Sequence, residues 1–185
     1  MSDECAKIIR LKVHEISKIN VRGDQYLMIL QEASGKRKMP ILLNKREAED
    51  LLFAANRDPK FHAPWSQVIK NLSQQFGFIV EGIILYELRD SRYIAQVQLS
   101  QNGNDIRMEM DGIHAIILAL TFRCPIFIDE ELFKCQYSRP DAQGSVALPI
   151  DTLSISMLQE ALHDAIREEN YELASHIRDE INRRK

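Results

Sequence analysis

The residues best suited to chemistry lie near the middle of the chain, where Glu109, Asp111 and His114 follow one another closely and His62 stands in an earlier loop. Carboxylates and imidazoles of this kind can converge on a divalent cation, and a cation held that way activates water for phosphodiester hydrolysis. Mg²⁺ or Mn²⁺ would be the cofactor of such a site. Each residue also has a plainer role. Asp111 directly precedes a very apolar segment and has the type and place of a helix N-cap. His114 would be a core or interface histidine on that segment, Glu109 a solvated strand residue, and His62, two residues before Pro64, a loop residue. Trp65 would either stack a base or pack as an apolar anchor.

No other catalytic pattern is present: the chain has no P-loop, GxSxG, HExxH or GxGxxG. Its three cysteines, Cys5, Cys124 and Cys135, are too few and too scattered for a disulfide framework or a metal knuckle. Cys124, beside Pro125 at the end of the apolar segment, reads as a structural thiol.

Such residues need a frame, and the composition provides one. With 45% apolar and 28% charged residues, the chain has enough apolar content for one buried core and a small appendage. No apolar run approaches the ~20 residues of a membrane span, and the charged start MSDECAKIIR is unlike a signal peptide. A cytoplasmic location is expected. Residues 1–150 carry 19 basic and 19 acidic side chains, whereas residues 151–185 carry 5 and 8. A domain gripping nucleic acid mainly through phosphates would carry a basic excess, and this one does not. The trio Lys36-Arg37-Lys38 beside Gly35 reads as a solvated hairpin turn.

The elements follow from pattern. Strands are expected over 8–19, 25–33 and MPILL, then a helix from the capping-box pair Asn44 and Glu47 to about Asn56. A second helix begins near Pro64 and stops at Gly77. FIVEGIILYEL turns at Arg89-Asp90-Ser91 into RYIAQVQLS, and Asn102-Gly103 leads to DIRMEM. The apolar helix GIHAIILALTF, the short strand PIFID and a partial helix EELFKCQ complete the domain. This order predicts an α+β fold, a mixed or antiparallel sheet with packed helices, over residues 1–137. Residues 138–150 read as a linker, and residues 151–185 as an antiparallel αα-hairpin.

In that hairpin Ile155, Leu158, Leu162 and Ile166 form one stripe, and Tyr171, Ala174, Ile177 and Ile181 a second. Ser156 with Gln159 offers a capping box, and Asp179 with Arg183 and Glu180 with Arg184 are favourable i, i+4 pairs. So small a unit has more apolar surface than it can hide alone, so it is expected to adhere to its own domain, a second copy or a partner.

The spacing LxxALxxAIxxENYExAxxIRDEI resembles the UVR motif, the helical hairpin of bacterial excision-repair subunits and some protease adaptors. The resemblance implies protein–protein contact through Leu158, Leu162, Ile166, Tyr171, Ile177, Arg178 and Ile181. Residues 8–135, through Gly35-Lys36-Arg37, Pro40-Ile41, Glu47-Ala48, Lys70-Asn71 and Cys124-Pro125-Ile126, resemble the bifunctional nuclease family, named for degrading both DNA and RNA. A C-terminal UVR hairpin accompanies that family. The departures fall at polar positions: HAPWSQ replaces an Arg-Pro…His-Asp stretch, and EMDGIH keeps only one acid of another. The expectation is a family member with diverged polar motifs that docks or scaffolds through its hairpin. The alternative is an active metal-dependent nuclease using Glu109, Asp111, His114 and His62. The apolar 112–122 helix and the exposed stripes point to a homodimer.

Overall fold

A computed structural model describes residues 7–19, 25–56, 65–137, 149–153 and 155–184. Three strands open the chain: β1 (Ile8–Lys18), β2 (Gln25–Glu32) and β3 (Lys38–Asn44) form an antiparallel meander. Helix α1 (Lys45–Asn56) starts on a reciprocal capping box. Glu47 N donates to Asn44 Oδ1 at 3.0 Å, and Asn44 N donates to Glu47 Oε2 at 2.8 Å. Helix α2 (Trp65–Phe76) ends at Gly77, whose φ of 71° no β-carbon would favour.

A second meander follows: β4 (Phe78–Arg89), β5 (Arg92–Gln101) and β6 (Asn104–Asp111). Its two turns carry left-handed pairs, Asp90-Ser91 (φ 50° and 62°) and Asn102-Gly103 (φ 52° and 80°), whose twist matches that of paired strands. Helix α3 (Gly112–Phe122), strand β7 (Ile126–Asp129) and helix α4 (Glu130–Gln136) come next. A 3₁₀ turn (Ile150–Thr152) then leads into α5 (Ile155–Arg167) and α6 (Tyr171–Arg183).

The two meanders make one sheet because β7 inserts between them, antiparallel to β1 and parallel to β4, in the order β3-β2-β1-β7-β4-β5-β6. This is a mixed sheet in an α+β fold. In a flat sheet β3 and β4 would lie roughly 19 Å apart. Helix α4 nevertheless packs against both, so the sheet curls around it. The core fills the hollow with Met28, Leu30, Met39, Leu51, Ile83, Leu85, Ile116, Ile117, Ile128 and Phe133, all but inaccessible to water.

Helix α3 is apolar all round because it is surrounded within one chain, by β4, β5, α1 and α2. It therefore needs no second copy to cover it, and that part of the argument for a homodimer falls. Arg37 also differs from a solvated turn residue. Its guanidinium pairs with buried Glu32 at 2.6 Å and stacks over the rings of Phe133 and Tyr137, at 4.7 and 5.3 Å. The pairing with Arg37 holds the Glu32 carboxyl below its ordinary value, against the opposing effect of burial. Ser156 is not a cap either, because α5 already begins at Ile155. Most of the 138–150 linker lies outside the described residues, and its last residue, Ile150, opens the 3₁₀ turn.

Candidate functional site

Asp111 ends β6 and starts α3. Its Oδ1 accepts from the backbone N–H of Ile113 at 3.0 Å and of His114 at 3.2 Å, capping two free donors of the helix. Gly112 is what allows the chain to turn there. A β-carbon at Gly112 would lie 2.6 Å from Tyr93 Cβ and 2.8 Å from Tyr93 O, so only glycine brings α3 this close to β5. His114 Nδ1 lies 3.6 Å from Asp111 Oδ1, and its ring meets Trp65 edge-on at 5.5 Å between centroids. Arg92 Nη1 lies 3.8 Å from the other Asp111 oxygen. Asp111, Arg92 and Tyr93 share the wall of a small pocket of about 170 Å³.

Glu109 keeps different company. Its carboxylate accepts from the Tyr86 hydroxyl, and its other oxygen pairs with Arg89 at 3.3 Å. Arg89 in turn holds Glu87 at 2.6 Å. The hydrogen bond to Glu109 raises the Tyr86 phenol above its ordinary value. So Asp111 and His114 come together, and Glu109 joins a separate exposed network. His62 lies outside the described residues. Among the described residues, no three His, Cys, Asp or Glu side chains are grouped to hold a metal ion. Asp111, the acid nearest an imidazole, spends one oxygen on two helix amides. Asp111 and Glu109 are thus each engaged by other partners, the one by helix amides and the other by Tyr86 and Arg89. Cys124 is half-buried, and burial pushes its thiol up to about 11, so it stays protonated near neutrality.

The second set of polar contacts joins the hairpin to the domain, and Arg184 is its centre. With its side chain only 14% exposed, it donates to Asp151 O at 2.7 Å, Ile150 O at 3.3 Å and Leu153 O, and pairs with Glu180. It also donates to Ser91 Oγ at 2.7 Å, in the β4–β5 turn of the domain. A buried relay runs alongside: Tyr93 donates to Gln136 Oε1 at 2.8 Å, and Gln136 donates to Asp151 Oδ2 at 2.6 Å. Burial, then the nearby Asp151 charge, raises the Tyr93 phenol. Ser91 and Gln136 carry no sequence signal of this role, and for Arg184 the sequence signals only its i, i+4 pairing with Glu180.

Between the hairpin base, α4 and the β4–β5 turn lies an open cleft of about 1130 Å³. Arg92, Arg183 and Arg184 line it together with the acidic Glu87, Asp90, Asp129, Glu131 and Asp151. Mixed signs give it no uniform field of the kind that gathers phosphates.

The hairpin residues divide in two. Leu158, Ile177 and Ile181 are buried between α5 and α6 with Ala165 and Ala174, and Leu162, Ile150 and Leu153 pack against them. Those side chains hold the hairpin together. Ile166 (53% exposed), Tyr171 (69%) and Leu173 (40%) point outward around the turn between the helices, and Arg178 is exposed beside Asp179.

This geometry, a curled mixed sheet followed by a two-helix hairpin, accords with what the family comparisons find. Residues 28–139 match the family model for the bifunctional nuclease domain. The chain belongs to the bifunctional nuclease domain family. Residues 153–185 match the UvrB/uvrC motif, which takes in both hairpin helices and Arg184 and begins just after the 3₁₀ turn. No curated protein matches the chain. Within this bifunctional nuclease domain, the match runs from Met28 in β2 past the end of α4, and so takes in both the Asp111 cap and the Tyr93–Gln136 relay. Among the described residues, no helix is long and apolar enough to cross a membrane.

Proposed function

We propose that this member of the bifunctional nuclease domain family is a cytoplasmic docking or scaffold protein, with residues 1–137 as a platform and residues 151–185 as the contact element. The observation that carries the reading is the split within the hairpin. Its base is tied to the platform by Arg184, while Ile166, Tyr171 and Leu173 remain open to water around the far turn. Exposed apolar side chains grouped on a rigid support are a common contact surface for a protein partner, and a tyrosine adds a large anchor at low entropic cost. The UvrB/uvrC motif match supports the same reading.

The nuclease reading keeps one supporting observation, the family match over residues 28–139. Against it stand the roles of the candidate residues: Asp111 caps a helix, and Glu109 is held by Tyr86 and Arg89.

Affinity capture tests the docking reading. Full-length protein is expected to retain a partner from cell extract, and an Ile166→Asp, Tyr171→Ala double variant with an unchanged circular dichroism spectrum is expected to lose it. An identical set of captured proteins for both forms would reject the reading.

A further inference from the structure

Helix α2 is assembled with its apolar stripe turned aside from the face it buries. Trp65 packs half-buried against the core, but the fully buried residues of the helix are polar. Ser66 and Ser73 are its buried residues. Ser66 Oγ lies 3.0 Å from the Thr121 hydroxyl of α3, and Lys70 Nζ donates to Thr121 O at 2.7 Å. Ser73 donates back to Lys70 O at 2.8 Å within the helix. Meanwhile Val68 (53% exposed), Leu72 (44%) and Phe76 (67%), four residues apart, form a continuous apolar ridge in water. An amphipathic helix ordinarily does the reverse.

The flanks of the ridge say what it can meet. Asn71 and Gln75, three residues on from Val68 and Leu72, border it on one side and Trp65 and Ile69 on the other, and α2 carries no acidic residue. Lys70, its one basic residue, turns its ammonium onto the end of α3. A two-fold contact sets each surface against itself, so a charged border would meet its own sign. An amide border does not: a carboxamide both donates and accepts, and can satisfy its copy. Neither an acidic nor a basic partner is selected by such a border.

We propose that the α2 ridge is the contact between two copies of this chain, with Val68, Leu72 and Phe76 packed on the same residues of an antiparallel α2. One 12-residue helix face is small beside the ~800 Å² per partner of a standard stable interface, so the dimer is a weak, reversible one. The contact is separate from the hairpin, and it stands whether or not the hairpin recruits a partner.

Sedimentation equilibrium on the full chain tests this. At about 100 µM, a concentration suited to a weak interface of this size, wild type is expected to show a mass above the one-chain value of 21.4 kDa and rising with concentration. Leu72→Glu is expected to sediment as a single chain, and Ile166→Asp to behave as wild type. As a second readout, Leu72→Cys in a Cys135→Ser background is expected to form a covalent dimer under mild oxidation, while Cys135→Ser alone does not. A wild type that stays at one-chain mass, a dimer that survives Leu72→Glu, or one that Ile166→Asp abolishes would each overturn the proposal.

Discussion

The hairpin and helix α2 face the same physical problem and resolve it differently. Each is an amphipathic unit too small to be a domain. In the hairpin, α5 and α6 turn their stripes on each other, so Leu158 and Ile177 reach 0% and 2% exposure. In α2, Ser66 meets α3 and the ridge of Val68, Leu72 and Phe76 is left in water. Apolar periodicity therefore identifies a helix that has something to cover, but it does not identify the cover. That depends on which side of the helix the hydrogen bonds claim first, and in α2 Ser66 and Lys70 claim it.

The contrast is sharpest in paired truncations. Leu158→Ala is expected to destabilise the hairpin by about 2–5 kcal/mol, the range for a large-to-small change at a buried leucine. Leu72→Ala, on the open ridge, is expected to change folding stability by no more than about 0.5 kcal/mol, as surface substitutions do. Thermal unfolding of dilute protein followed by circular dichroism measures both, and equal effects would erase the distinction between the two helical regions.

Removing the clamp probes the hairpin's other attachment. Arg184→Ala leaves the carbonyls of Ile150, Asp151 and Leu153 and the Ser91 hydroxyl without their guanidinium donor, a loss of about 2 kcal/mol. Amide hydrogen exchange is expected to quicken at residues 150–158 while β4 and β5 keep their protection. Unchanged exchange at the hairpin base would mean that Arg184 is not what ties it down.

The smallest expected effect is one of pH. Arg183 and, beyond it, Arg184 hold the Glu180 carboxyl below its ordinary value of 4.5, against a partial opposing effect of burial. A carboxylate whose folded value is depressed contributes stability that is full above the unfolded value and is lost as pH falls through the folded one. Hairpin protection is therefore expected to be flat near neutrality and to decline as pH drops below about 4.5. In Glu180→Gln that acid-side decline is expected to be smaller.

Much of the frame is legible in the sequence. Asn44 with Glu47, Gly77, Asn102-Gly103 and Asp111 each carry local signals strong enough to act without tertiary help, and each does what its type implies. The UVR spacing and the nuclease-domain pattern likewise identify the two parts that the family comparisons match. What is not legible depends on long-range placement. Glu109 and Asp111 are two residues apart in β6, yet one is bound by Tyr86 and Arg89 and the other by the amides of α3. Nearness in sequence does not carry side chains past a strand-to-helix turn. Arg184 looks like tail charge in the run Asn182-Arg183-Arg184-Lys185, and only the fold brings Ser91 within 2.7 Å of it.

We propose that the domain's carboxylates and imidazole serve the fold, while its exposed apolar surfaces serve contact. The most direct test is an incubation of purified full-length protein with end-labelled single-stranded DNA and RNA, with Mg²⁺ or Mn²⁺ supplied in turn. Wild type is expected to match a Glu109→Ala, His114→Ala double variant, with neither cutting above background. Metal-dependent cleavage by wild type that the double variant lacks would contradict the claim.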